Sequence, residues 1–184
     1  HQHMQNPTIL GSFSKALPGA VAINFSPSAS PWCDNACIHK HASCYAERNE
    51  ARKPSLQANL SWKQDNLLEY LYTINESPMH AARISAAPWV RLSAFGTVPP
   101  SEVLQASKPL TKGFRKLARL LAPHAARVHF PVETADKLAT YRALGFHPRL
   151  SLQSQETGPI VDAVRAGIPV SLAVGDPADK APRW

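Results

Sequence analysis

Short apolar runs recur along this chain, each followed by a stretch with helical spacing, and that alternation limits its fold more than any other feature. Ala20 to Ser26 (AVAINFS), Trp89 to Phe95 (WVRLSAF), Arg127 to Val132 (RVHFPV), Arg149 to Gln153 (RLSLQ) and Pro169 to Val174 (PVSLAV) read as strands. A helix over Trp62 to Ile74, capped by Ser61, would place Trp62, Leu67, Leu68, Leu71 and Tyr72 near one face, with a second piece over Met79 to Ala86 after Pro78. Thr111 to Leu121 carries Phe114, Leu117, Ala118 and Leu121 on one stripe and its basic residues elsewhere. Ala135 to Leu144 is capped by Thr134 and closed by Gly145, and Pro159 to Ala166 ends at Gly167. Strand followed by helix, repeated, implies parallel strands joined by right-handed crossovers. About five strands are too few to close an eight-stranded barrel, so the expected fold is α/β, an open or partial (β/α) barrel of parallel strands with crossover helices.

A length of 184 residues suits one domain, taken as 5–184, since His1-Gln2-His3-Met4 reads as an expression-vector leftover. Seventeen prolines against eight glycines, many beside apolar runs, act as punctuation between elements. No run of about 18 apolar residues is present, so no membrane partner is expected. The net charge of +7 favours phosphate-rich partners, because released counterions stabilise such complexes. The densest basic stretches are Lys108 to Arg119, Arg48 to Lys53, and Arg142, His147 and Arg149. A nucleic acid or other phosphate-bearing partner is one expectation from this charge, and a merely solvated basic surface is the other.

All three cysteines fall within 31–46, in the spacing Cys33-x3-Cys37-x6-Cys44. An odd, clustered set makes a poor disulfide framework and points to a reducing, cytoplasmic setting. Three thiolates this close can wrap one soft metal centre, which selects zinc, copper(I) or an iron–sulfur cluster. A four-iron cluster on three cysteines keeps one iron open, whereas tetrahedral zinc requires a fourth donor, for which His39 and His41 are the candidates. Packing of three thiols in a loop with no shared centre is the remaining reading, although Asp, Asn, Lys and His neighbours suit a polar loop better than a core.

In parallel sheets, loops at the carboxyl ends of strands converge on one rim where ligands bind. The cysteine loop falls there, with Ser93 to Gly96, Glu133, Ser154 to Thr157 and Gly175-Asp176. A three-cysteine loop after the first strand of a partial barrel resembles the radical S-adenosylmethionine superfamily, whose usual pattern is C-x3-C-x2-C. Cys33 and Cys37 match its first spacing, and Cys44 departs from the second. The Cys44-Tyr45-Ala46 ending also resembles small phage- and plasmid-borne proteins that carry a similar loop.

The resemblance implies a [4Fe-4S] cluster on Cys33, Cys37 and Cys44, with S-adenosylmethionine on the open iron. It implies cofactor contacts at Ser93, Phe95 and Gly96, where the family has a glycine-rich segment and this chain has Ser-Ala-Phe-Gly, and at Glu133, Ser154, Gln155 and Asp176. It further implies an electron donor and reductive cleavage of the sulfonium to a radical acting on a substrate, with the protein supplying position and exclusion of water. A non-catalytic nucleic-acid-binding or host-interaction module with a structural zinc or cluster is the rival expectation. Trp32, beside Cys33, is the one tryptophan placed to shield such a centre; Trp62, Trp89 and Trp184 read as core.

Overall fold

A computed structural model describes residues 7–12, 18–33, 44–93, 95–154 and 156–173. The expected alternation is present: the chain is mixed α/β, with two sheets and eight α-helices among the described residues. Strand β1 (Gly11–Ser12) pairs antiparallel with β2 (Val21–Ile23), which pairs parallel with β3 (Val90–Leu92), and β3 with β4 (Val128–His129). The second sheet runs β5 (Pro131–Val132), β6 (Arg149–Gln153), β7 (Val170–Ala173), all parallel. Among the described residues neither sheet closes on itself.

The single third strand expected over Arg127 to Val132 is two short strands flanking Phe130. Val128 and His129 bond to β3 on one side, while Pro131 and Val132 pair with β6 on the other. Proline has no N–H to offer a ladder, so the strand changes neighbours where Pro131 enters it. The Phe130 carbonyl still accepts the Arg149 N–H at 2.9 Å, which carries the chain from one sheet to the next.

Between β2 and β3 lie α1 (Tyr45–Arg52), α2 (Pro54–Asp65), α3 (Leu67–Glu76) and α4 (Pro78–Ala86). The expected helix over Trp62 to Ile74 is therefore two helices divided at Asn66. Ser61 sits inside α2, which starts at Pro54. The division rotates the apolar face: Leu67, Tyr70, Leu71 and Ile74 are buried, while Leu68 and Tyr72 are exposed. Helices α5 (Ser101–Ala106) and α6 (Lys108–Leu121) connect β3 to β4, α7 (Ala135–Ala143) connects β5 to β6, and α8 (Thr157–Arg165) connects β6 to β7.

The proline punctuation is literal, for prolines occupy the first turns of α2, α4 and α6, where a missing N–H costs nothing. Hydroxyl caps start α4, α6 and α7: Ser77, Ser107 and Thr134 accept from His80, Leu110 and Lys137 N–H groups. On α6 the expected stripe is the buried one, with Phe114, Leu117, Ala118 and Leu121 all inside. Gly113 lets α6 approach α3, since a Cβ there would lie 3.1 Å from a methyl of Leu71. Edge-on aromatic contacts tie the layers, Phe114 to Tyr141 and Phe130 to Tyr141 both at 5.5 Å between ring centres.

Candidate functional site

The carboxyl ends of β2, β3 and β5 hold most of the buried polar side chains. Asn24, Ser26, Ser30, Ser93 and Thr97 are all under 9% exposed, as are Glu50 at 1%, Lys137 at 4% and Lys63 at 1%. Buried polar groups are costly unless bonded, so a concentration of them at one edge marks where the fold departs from plain packing.

Glu50, on α1, fastens the two ends of the cysteine loop together. Its carboxylate accepts from Ser26 Oγ at 3.0 Å, from Ser28 Oγ at 2.7 Å and from the Ser28 N–H at 3.3 Å. Ser26 and Ser28 precede Cys33, and α1 begins directly after Cys44, so this contact brings chain before and after the loop to the end of β2. Cys44 caps α1, its Sγ accepting the Glu47 N–H at 3.4 Å at the positive end of the helix. Trp32, half-buried beside Cys33, donates its Nε1–H to the Thr97 carbonyl at 3.1 Å, tying the loop to the segment after β3. Cys33 and Cys44 are both half-buried. Cys37, His39 and His41 lie outside the described residues, and among the described residues no three His, Cys, Asp or Glu side chains gather into a metal-binding group.

Ser93, Phe95 and Gly96 pass over the end of β2. The Ser93 N–H donates to the Ile23 carbonyl at 2.8 Å, the Phe95 N–H to Asn24 Oδ1 at 3.1 Å, and the Phe95 carbonyl accepts the Phe25 N–H at 3.0 Å. Ser93 Oγ donates to the Pro131 carbonyl at 3.2 Å. Gly96 has φ +68, and a Cβ there would sit 2.7 Å from the Phe25 carbonyl group, so this crossing requires glycine. Much of the polar capacity of the segment is spent inside the fold.

Glu133, at the end of β5, accepts from Thr97 Oγ1 and forms an ion pair with Lys137 one helical turn on. Lys137 Nζ also donates to Thr97 Oγ1 at 3.2 Å. Tyr141, beneath them, donates to the Pro99 carbonyl at 2.7 Å, and burial first, then the Glu133 charge, hold its phenol above the usual range. Ser154 is half-buried at the end of β6, and Gln155 and Asp176 fall outside the described residues.

Sequence reasoning missed Glu50, Lys63, Thr97 and Lys137. Lys63, on α2, has its ammonium 5.0 Å from the centre of the Tyr70 ring, and burial lowers its pKa to about 8. Tyr70 accepts the Asn24 N–H at 3.2 Å, and burial raises its phenol pKa. Nothing local marks these residues, since each is an ordinary polar position on a helix or loop until strands far along the chain enclose it. On the sheet face opposite the core, Arg91 lies beside His129 in register. Burial, then the charges of Arg91 and Arg149, lower the His129 pKa.

The class these features define is a mixed α/β chain of mainly parallel strands whose carboxyl rim fastens a cysteine loop. No known protein family, curated protein or solved structure matches the chain. No helix among the described residues is long and apolar enough to cross a membrane.

Proposed function

We propose that the cysteine loop holds a thiolate-ligated inorganic centre, an iron–sulfur cluster on Cys33, Cys37 and Cys44, at the mouth of a radical S-adenosylmethionine-like partial barrel acting on a phosphate-bearing or nucleic-acid substrate. The observation that carries this reading is the Glu50 fastening: a buried carboxylate draws together chain on either side of the loop at the end of the first parallel strand. A loop of three thiolates needs such anchoring, because outer contacts orient the ligands of a metal site. The donor set fits the group, since clustered soft sulfur ligands select a cluster, zinc or copper(I) over hard cations.

When bound, a cluster of this kind supplies one-electron chemistry to S-adenosylmethionine. The chain's own residues then hold and shield. Trp32 packs against the core beside Cys33 and would shield that side of the centre from water. Cys44 caps α1, its sulfur accepting the Glu47 N–H at the positive end of the helix. Ser154, with Gln155 and Asp176, supplies ribose or methionyl contacts in this reading, while Glu133 is already engaged by Thr97 and Lys137.

Purification without oxygen, followed by a visible spectrum and iron, sulfide and zinc analysis, tests the proposal. Broad charge-transfer absorption with stoichiometric iron and sulfide is expected. A colourless protein with one zinc replaces the cluster by a structural Cys3His site, and a protein with neither metal removes the centre altogether.

A further inference from the structure

Away from the rim, the outer helices carry a groove of about 820 Å³ between α5, α6 and α7. Its floor is one face of α6, a helix with five cations and no acid. Lys108, Lys112, Arg115 and Arg119 line the groove at helical spacing, a single row about 16 Å long by the rise of an α-helix. All four are exposed. Lys116 is paired with Glu76 at 3.0 Å, but none of these four makes an ion pair or hydrogen bond among the described residues. The nearby acids Glu102 and Asp136 accept from the Ser101 hydroxyl at the edge of the groove and pair with none of the four, so the like charges of the row repel and call for an anionic partner that repeats along its length.

We infer that this groove is a docking surface for the phosphate backbone of a nucleic acid. Thr140 adds a hydroxyl donor to the wall, a group that commonly bonds phosphate oxygens, whereas the Thr111 hydroxyl already donates to the Leu104 carbonyl at 2.7 Å. Among the described residues no aromatic side chain lines the groove, so it offers no stacking platform and reads the backbone, independent of sequence. A membrane surface fits less well, since interfacial helices set aromatic and apolar side chains beside their cations, and here the apolar face of α6 is buried in the core. The inference deepens the nucleic-acid part of the proposed function and does not depend on what the cysteines bind.

Fluorescence anisotropy of the full chain with labelled 20-nucleotide single- and double-stranded DNA, at 50 to 200 mM salt, tests it. Four phosphate contacts predict a slope of log affinity against log salt of about −3.6 on duplex and about −2.8 on single strands, a loss of roughly 150-fold and 50-fold over that range. Replacing Lys108, Lys112, Arg115 and Arg119 together by Gln should weaken binding at 50 mM at least about ten-fold and flatten the slope. A matched variant with Arg52, Lys53, Arg83 and Arg165 changed to Gln carries the same net charge and should bind as the parent does. Equal losses in both variants, equal retention in both, or no binding by the parent at 50 mM would each overturn the assignment. Anionic vesicles that bind as tightly as DNA would also overturn it. Metal content measured on the same samples separates failure of the groove from failure of the cysteine centre.

Discussion

Two sectors of the rim hold the same chemical inventory, a Glu and a Lys beside hydroxyls, and connect it differently. At the end of β5, Glu133 and Lys137 pair with each other and share Thr97, so acid and base cancel locally. At the end of β2, Glu50 and Lys63 are each about 1% exposed, yet they do not pair. The carboxylate is held by serine hydroxyls and an N–H, and the ammonium lies over the Tyr70 ring with no ion pair among the described residues. A buried pair offsets much of its own desolvation, whereas separately buried charges each keep theirs. The β5 sector therefore acts as a closed structural clasp. The β2 sector, beside the cysteine loop, keeps its Glu and Lys apart, with no ion pair between them or to another described residue.

The largest test breaks the clasp. Glu133→Ala leaves Lys137 as an unpaired buried cation, and urea unfolding should show a loss of about 3 kcal/mol. The double change Glu133→Ala, Lys137→Met should recover most of it, and failure to do so would mean the ion pair is not the source. Glu50→Ala should cost about 2 kcal/mol by releasing hydroxyl and N–H donors rather than by stranding a cation. It should also lower metal retention, whereas Glu133→Ala should not. Equal metal loss in both would erase the distinction between the sectors.

Lys63→Met should move the other way, raising stability at pH 7 by about 1 to 2 kcal/mol. Its pKa falls from 10.5 to about 8 on folding, so the folded chain releases this proton first. Between pH 8 and 10.5 the unfolded chain holds more protons here, and the stability of the parent rises with pH. The advantage of Lys63→Met should thus be full below pH 8 and fade toward pH 10.5 in paired denaturation curves. A gain that ignores pH would point to packing instead of charge. The smallest effect is expected for Trp32→Phe, which removes one hydrogen bond across the sectors, about 1 kcal/mol by thermal unfolding.

Elements with a strong local period were readable in advance. The α6 stripe, Thr134 as a cap and Gly145 at positive φ after α7 all follow from spacing and backbone freedom, which neighbours in sequence decide. Helices α1 and α5 and the edge strand β1 were not anticipated. Each is short, and α1 is too polar to show an apolar face, so little in the local pattern separates it from a loop. Within the candidate site, the cysteine spacing stood out because thiol chemistry is rare and clustered here. Glu50 did not, because its partners lie 22 and 24 residues away, across the cysteine loop.

Sequence by itself determined the mixed α/β alternation, the proline punctuation, the basic face of α6 and the clustering of the three cysteines within twelve positions, since all are matters of spacing along the chain. Tertiary structure alone decided that the third strand divides between two sheets, that Gly96 must cross Phe25, and that Glu133 and Lys137 pair while Glu50 and Lys63 stay apart. Hydrogen-bond partners and burial depend on which distant segments meet, and hydration of a side chain is lost only when they do.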